Sequence, residues 1–186
     1  MDEIFDIHSD MNVLLREHDE HFMRQALREA EKAYHKQEVP IGAVIVREGH
    51  IIAKGYNQTE MLQDPTAHAE MIAITSGAEY LGSRRLDDCT LYVTLEPCCM
   101  CAGGIVLSRM ARVVFGAFDP KAGACGSLYR IPEDARLNHR CHVIGGICEE
   151  ESSQLLKSFF AELRSGTMTR SSQSADMRGH RHHSSL

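Results

Sequence analysis

The spacing of apolar residues predicts alternating helices and strands along most of the chain. From Asp19 to Lys36, apolar side chains recur every three or four residues, which is the spacing of a helix that buries one face. Two apolar stretches, 41–46 and 50–55, flank a short polar turn at 47–49 and are typical of a β-hairpin. The first helix is therefore expected to cover one face of a sheet that starts with this hairpin.

The same alternation continues through the rest of the chain. A second helix is predicted from about Thr66 to Tyr80, because Asp64 can cap it, Pro65 suits its first position and Gly82 can end it. The later elements are expected as a strand at 89–94, a helix at 97–109, strands at 112–117 and 142–147, and a helix at 149–163. Strands that alternate with helices predict an α/β fold, here a three-layer α/β/α sandwich around a mixed five-stranded sheet.

Length and composition favour one folded domain between two polar ends. The chain has 186 residues, of which 43% are hydrophobic, enough for one buried core. We expect a flexible acidic arm at 1–18, the folded domain at 19–164 and a disordered polar tail at 165–186. The tail has too few apolar residues to offset the entropy of ordering, so its cluster at His180–His183 is expected to be solvated and not a metal site.

Net charge leaves a nucleic-acid partner possible. The formal charge of -6 comes from residues 1–20, where seven acids face Arg16, so the rest of the chain is neutral overall. Residues 103–142 carry a surplus of three positive charges, which fits either a local basic face or ordinary surface charge. No apolar run has the length of a membrane span and the first residues are acidic, so a soluble, cytoplasmic protein is expected.

Cysteine usage indicates metal binding more than disulfides. The chain has seven cysteines, an odd number, and three of them crowd into positions 98–101. Cys98 and Cys101 are three residues apart, which places both sulfurs on one side of a helical turn, and a helix N-terminus favours their thiolate forms. This pair can hold one metal ion.

Two short motifs together complete a catalytic zinc site. A catalytic zinc has three protein ligands and one open position. Pro97 opens a P-C-x-x-C motif with the two cysteines, and His68 opens an H-x-E motif; together they match the signature of zinc deaminases. His18 opens a second H-x-E, but it lies in a charged run expected to be a solvated helix face, whereas His68 opens a helix that can converge with the cysteine helix.

Glu70 is the candidate proton carrier. It can accept a proton from a zinc-activated water and pass it to a ring nitrogen and a departing amine. The alternative is an exposed carboxylate that only complements the helix dipole. Among the other cysteines, Cys99 is expected to face away from the metal as a core or wall residue. Cys125 could bend inward as a fourth thiolate, which would make the zinc structural.

Four longer stretches resemble the bacterial-type tRNA adenosine deaminases of the cytidine deaminase superfamily. They are DPTAHAE at 64–70, TLEPCCMCAG at 94–103, SRMARVVFGAFDPKAGACGS at 108–127 and LNHR at 137–140. The resemblance covers about residues 19–163 and implies a cytidine deaminase-like fold with one Zn²⁺ per subunit. It also implies hydrolytic conversion of the wobble adenosine of a tRNA anticodon stem-loop to inosine by a homodimer.

The resemblance also implies roles for six substrate-binding positions. These are Asn57, Ile41, Ala69, Leu95, Asp119 and Lys121. In the family the residue at Asn57 hydrogen-bonds the target base, Ile41 and Leu95 line the base pocket, and Asp119 and Lys121 lie in the loop beside the RNA.

Two other functions fit the same motifs. A deaminase of a free base or nucleoside, of the guanine or cytosine type, uses the same zinc, glutamate and sheet. A non-enzymatic zinc-stabilised binding module would use the metal only to hold its fold, and it would unfold when the zinc is removed.

Overall fold

The computed structural model describes residues 7–167, with side chains described from residue 13 onward. The helices are α1 (Ile7–His35), α2 (Thr59–Leu62), α3 (Ala69–Leu81), α4 (Cys99–Leu107) and α5 (Glu149–Ser165), with a 3-10 turn at Ile131–Glu133. The strands are β1 (Gly42–Arg47), β2 (His50–Tyr56), β3 (Cys89–Leu95), β4 (Arg112–Ala117) and β5 (His142–Gly145). The predicted disordered tail beyond residue 167, with its histidine cluster, lies outside the described residues.

The predicted mixed five-stranded sheet is confirmed, and its strand order is β2-β1-β3-β4-β5. β1 pairs antiparallel with β2 and β3, whereas β3, β4 and β5 are parallel to one another. The start of β1 and the ends of β2, β3 and β4 therefore lie at one edge of the sheet. The loops that carry the predicted site residues leave the sheet at this edge.

Alternate residues of β1 face two different helical layers. Val44 and Val46 point to a cluster with Phe22 and Met23 of α1. Their neighbours Ala43 and Ile45 point to the opposite cluster, which includes residues of α3 and α4. On the α1 side, α5 also packs, with Phe159 against Tyr34 at 5.5 Å between ring centroids. The sheet is thus covered on both faces, as the alternating pattern predicts.

Two glycines allow helices to lie directly on the sheet. A Cβ at Gly42 would stand 2.1 Å from the Ala26 carbonyl oxygen of α1. A Cβ at Gly55 would stand 2.4 Å from the Ala69 carbonyl oxygen at the start of α3. Since neither backbone could move away cheaply, these glycines set the depth at which α1 and α3 pack.

The predicted start of α1 at Asp19 is wrong. The helix already begins at Ile7, so the part of the expected flexible arm at 7–18 is helical. The stretch contains neither proline nor glycine to stop a helix, and Glu20 pairs one turn away with Arg16 at 3.4 Å and Arg24 at 3.0 Å. Asp19 is also not solvated: it is buried, although His18 beside it is exposed.

The predicted starts of the second and third long helices are three and two residues too early. α3 begins at Ala69 and not at Thr66, because Asp64 bonds the Thr66 backbone N–H at 2.8 Å in a turn of its own and caps no helix. α4 begins at Cys99, after Pro97. The short α2 was not predicted, and β5 ends at Gly145, short of the expected residue 147. Among residues 7–167, no helix is both long and apolar enough to span a membrane.

Candidate catalytic metal centre

Three predicted ligands come together in one cluster. His68 Nδ1 lies 3.7 Å from Cys98 Sγ and 3.5 Å from Cys101 Sγ, and all three ligand atoms lie within 4.8 Å of one another. In a tetrahedral zinc site, bonds of about 2.3 Å to sulfur and about 2.05 Å to nitrogen separate these atoms by about 3.6 Å. The two distances from His68 Nδ1 thus match those that zinc requires, and the two sulfurs lie within 4.8 Å of each other.

The ligands sit where two helices begin. His68 is the N-cap of α3 and Cys98 is the N-cap of α4, both with extended backbone, and Cys101 follows in the first turn of α4. The two helices touch near the site, where a Cβ at Gly104 would lie 2.9 Å from the Met71 sulfur. Helix N-termini carry partial positive charge, so this arrangement favours thiolate ligands. The predicted convergence of the two helix starts is confirmed.

Cys98 is prepared as a thiolate. Hydrogen bonds from Cys101 and His68 lower the pKa of the Cys98 thiol to about 3, although its partial burial acts in the opposite direction. The same hydrogen bond to Cys98 raises the pKa of His68. A thiolate and an imidazole facing one another are a donor set that zinc prefers, so the residues present fit the metal.

Glu70 lies buried in the first turn of α3, with 3% of its surface exposed. Burial raises the pKa of its carboxyl group. Its Oε2 atom is buried and has no hydrogen-bond partner within residues 7–167. Because an unpartnered buried carboxylate oxygen is costly, this atom is suited to a partner that arrives with the metal or the substrate. The alternative of an exposed carboxylate at the helix start does not fit this burial.

Sequence reasoning missed a second buried carboxylate, that of Glu96. Its two oxygens accept hydrogen bonds from the backbone N–H groups of Asp119 at 3.0 Å, Cys125 at 3.0 Å and Ser127 at 2.9 Å, and from the Ser127 hydroxyl. Burial alone would raise the pKa of Glu96, but these hydrogen bonds outweigh it and lower the pKa. Glu96 therefore holds the loop 118–127 next to the cysteine motif.

The loop 118–127 lies directly against the cysteine motif. Gly123 forms a backbone bridge with Cys98, and Ala124 donates its N–H to the Pro97 carbonyl at 2.8 Å. A Cβ at Gly123 would lie 2.4 Å from the Glu96 carboxylate, so only glycine fits this approach. The only sequence signal for the arrangement was an acid directly before Pro97 at the end of an apolar strand.

Four predicted pocket residues lie at the sheet edge that carries the metal cluster. Ile41 immediately precedes β1, and its carbonyl accepts the Asn57 N–H at 3.0 Å. Asn57 follows β2 and is buried, Ala69 is the buried first residue of α3, and Leu95 ends β3. The next residue after Asn57, Gln58, donates its N–H to Ala67 at 3.0 Å, beside His68. The structure thus brings the predicted pocket residues and the ligands to one edge.

The two predicted loop residues differ in what they can offer a ligand. The Asp119 carboxylate accepts the backbone N–H groups of Lys121 at 2.9 Å and Ala122 at 3.2 Å, so it shapes its own loop. Lys121 is exposed. The RNA contacts predicted for both remain predictions.

Among the described residues, no other cysteine joins the cluster, which therefore has three ligands. Cys125 is buried, but its sulfur does not belong to the group of ligand atoms within 4.8 Å of one another, so it is not a fourth ligand in this arrangement. Cys99 is exposed, so of the two positions predicted for it, core or wall, the core position is wrong. Cys89 and Cys141 are buried, and Cys148 is half-buried. A three-ligand cluster leaves one tetrahedral position for catalysis.

Comparisons with known proteins agree with this site. Residues 16–117 match the family model described as the cytidine and deoxycytidylate deaminase zinc-binding region. A tRNA-specific adenosine deaminase of Bacillus subtilis (strain 168) is 53% identical over 146 residues, which cover 78% of this chain and 91% of that protein.

Two related enzymes of known structure have a similar fold. One, from a study of A-to-I editing by tRNA deaminases at the wobble position of transfer RNA, is 47% identical with a TM-score of 0.70 and covers 73% of this chain and 99% of that chain. A guanine deaminase from Bacillus subtilis is 41% identical with a TM-score of 0.53 and covers 58% of this chain and 69% of that one. The chain belongs to the zinc-binding cytidine and deoxycytidylate deaminase family and, within it, to the tRNA-specific adenosine deaminases.

Proposed function

We propose that this protein hydrolytically deaminates adenosine to inosine at the wobble position of a tRNA anticodon. The observation that carries the proposal is the cluster of three zinc ligands together with the buried, unpartnered oxygen of Glu70, in the first turn of the helix that His68 caps. The identity with tRNA-specific adenosine deaminases over most of both chains supports the choice of substrate. His68, Cys98 and Cys101 hold one Zn²⁺ per subunit.

The chemistry divides between the metal and Glu70. Bound zinc activates water as a nucleophile near neutral pH. As water adds to C6, Glu70 would accept its proton and donate it to N1 of the adenine ring; Glu70 would then take the proton of the new C6 hydroxyl and donate it to the amino group, which leaves as ammonia while the C6 carbonyl forms. The raised pKa of Glu70 suits this work, since a group that both takes and gives protons is most effective when its pKa is closer to neutral.

An anticodon loop is the physically sensible context for this chemistry. The C6 amino group of an adenine inside a paired helix cannot reach an active site, whereas loop bases are unpaired and can be turned outward. The exposed part of the loop 118–127, which includes Lys121, is the expected contact for the stem-loop. Because the proposed substrate is a tRNA, we expect the protein to be cytoplasmic.

The test is incubation of the zinc-loaded full chain with an anticodon stem-loop that has adenosine at the wobble position, followed by mass spectrometry. The matched control is the same stem-loop with that adenosine placed in the paired stem. We expect inosine from the first RNA only. The similarity to guanine deaminase makes a free-base deaminase the second candidate. Product from free guanine, cytosine, cytidine or adenosine, with none from the stem-loop, would establish that candidate and exclude RNA as the substrate.

We further propose that the enzyme is a homodimer whose subunits meet over α2, α3 and α4. A groove of about 420 Å³ runs along α3 and is lined by Leu62, Met71 and Ile72, among others. Met71 packs beside Gly104 of α4, and Leu107, three residues after that glycine, is 74% exposed. An apolar face of this kind on one side of the domain supports an interface there.

A further inference from the structure

Glu38 is a buried carboxylate that the deamination chemistry does not use. Only 1% of its surface is exposed. Its Oε2 accepts hydrogen bonds from Asn57 Nδ2 at 3.2 Å, Thr59 Oγ1 at 3.5 Å and the Glu60 N–H at 3.2 Å, and its Oε1 accepts the Met61 N–H at 2.6 Å. One side chain thus ties α2 and the buried Asn57 amide together.

The backbone of Glu38 is fixed to α1. Its N–H donates to the Ala33 carbonyl at 3.0 Å, and Gln37 before it has a φ of 62°, so the chain turns sharply where α1 ends. Ala33 is fully buried. Glu38 therefore reaches α2 from a rigid base, and the position of its carboxylate is set by α1 and not by the loop that it holds.

The network decides which atom of Asn57 can bind a ligand. A side-chain amide has two N–H donors and one carbonyl acceptor. Asn57 Nδ2 donates to Glu38 at 3.2 Å and to Thr59 Oγ1 at 3.1 Å, which uses both hydrogens. The Thr59 hydroxyl has one hydrogen, and this hydrogen points to Glu38 at 3.5 Å. The carbonyl oxygen Oδ1 is the atom of the Asn57 side chain that remains for a substrate.

We infer that Glu38 is a positioning residue for the deamination, because it fixes the Asn57 amide so that Asn57 offers the substrate an acceptor and no donor. The inference rests on the proposed function. The group recognised is a hydrogen-bond donor, either an N–H of the base or the ribose 2′-hydroxyl of the same nucleotide. A substrate that places a bare acceptor at this point would face an unpaired oxygen, which is costly in a buried site.

The first test is Glu38→Gln, which keeps the shape but turns one acceptor oxygen into a donor facing other donors. We expect kcat/KM on the anticodon stem-loop to fall about 10²-fold through misplacement of Asn57, with zinc content unchanged. The matched control is Glu29→Gln, which makes the same change at a buried carboxylate within α1 that pairs with Lys32 at 2.8 Å. This control should keep activity within about twofold, since it contacts no site residue.

The double variant Glu38→Gln/Asn57→Asp separates positioning from simple destabilisation. Asn57→Asp alone places two carboxylates together and should lose activity. In the double variant, the introduced glutamine amide donates to the introduced aspartate, whose second oxygen still offers an acceptor to the substrate. We expect the double variant to be at least about tenfold more active than either single variant. A double variant no better than the worse single variant would show that Asn57 acts as a donor, and would overturn the inference.

Two further measurements identify the donor and keep the inference separate from the proposed function. The rate of deamination falls in a stem-loop with 2′-deoxyadenosine at the wobble position only if the ribose hydroxyl is the donor.

The side-chain amide of Asn57, observed by ¹⁵N NMR, should exchange its hydrogens slowly in the wild type and in Glu29→Gln but quickly in Glu38→Gln. Slow exchange in all three would overturn the positioning role. If the wild type makes no inosine, the proposed function fails. The exchange rate of the Asn57 amide hydrogens still tests whether Glu38 fixes that side chain.

Discussion

At the scale of single residues, two buried glutamates near the metal cluster have opposite environments. The carboxylate of Glu96 receives four hydrogen bonds from the loop 118–127, which lower its pKa. Glu70 keeps an oxygen without a partner in the described chain, and burial raises its pKa. The oxygens of Glu96 accept the hydrogen bonds that hold a loop, whereas Oε2 of Glu70 remains available for proton transfer. The same type of side chain thus has a structural role in one place and, as we propose, a catalytic role in the other.

This contrast predicts the effect of Glu70→Gln. The variant keeps the size of the side chain and the three metal ligands, so it should fold and bind one zinc per chain. It cannot carry a proton, and we expect kcat to fall about 10²- to 10⁴-fold. Inosine formation and zinc content by mass spectrometry measure the two effects on one preparation.

Two companion variants sharpen the result. Glu48→Gln, in the exposed β1–β2 turn, makes the same chemical change away from the site and should leave both readouts unchanged. Cys98→Ala should lose zinc and activity together, because a ligand is removed. A Glu70→Gln protein as active as the wild type would exclude Glu70 as the proton carrier. If the wild type forms no product from the RNA or from any free base or nucleoside, the zinc would be structural.

Sequence spacing could predict the ligands but not the carboxylates that support them. Cys98 and Cys101 are three residues apart, so one helical turn brings their sulfurs to the same side, and His68 and Glu70 belong to a short motif that the sequence shows directly. Backbone N–H groups, which every residue except proline supplies, donate two of the four hydrogen bonds to Glu38 and three of the four to Glu96. Their partners lie far along the chain, so no motif marks them. Only the fold reveals what they hold.

At the scale of elements, the errors in the predicted helix starts have local causes. The run at 7–18 is acidic but contains no helix breaker, so α1 extends through it. Asp64 and Pro65 are typical of a helix start. However, the Asp64 carboxylate accepts hydrogen bonds from the Thr66 backbone N–H at 2.8 Å and from the Thr66 hydroxyl at 2.7 Å. Such turns and helix caps use the same residue types, and the sequence alone does not separate them.

The anchoring of α1 to the sheet gives a stability prediction. Asp19 accepts hydrogen bonds from Arg112 Nη1 at 2.8 Å and from the fully buried Tyr92 hydroxyl at 2.9 Å, and it also bonds Arg112 Nη2. Asp19→Asn leaves the Arg112 charge without its counter-ion. We expect a loss of about 2–3 kcal/mol, below the value for a fully buried pair because Arg112 still reaches solvent. Urea denaturation followed by circular dichroism measures it.

The control for this prediction lies next in the sequence. Glu20 pairs with Arg16 and Arg24 on the surface of the same helix, and Glu20→Gln should cost less than about 1 kcal/mol. Equal losses in the two variants would mean that the buried ion pair does not anchor α1. Activity should persist in both variants at temperatures where they remain folded.

At the scale of the whole molecule, the mixed sheet explains why distant motifs meet. The antiparallel β1 lies between β2 and β3, while β4 runs parallel to β3, so four loops leave one edge. The hydrophobic pattern predicted the number of strands and the helical layers. It could not give the strand order, because pairing partners depend on contacts between β1 and a strand more than forty residues away. The convergence of the pocket residues follows from that order.

The proposed dimer gives the last prediction. The wild type should have about twice the monomer mass of 20.8 kDa by size exclusion with light scattering. Leu107→Glu places a charge on the exposed end of α4 and should shift micromolar protein to the monomer, since burying an unpaired charge is unfavourable. Val13→Glu makes the same type of change on α1, which covers the opposite face of the sheet, and should leave the dimer intact. A Leu107→Glu protein that remains dimeric would move the interface away from α4, and a monomeric wild type would exclude the homodimer.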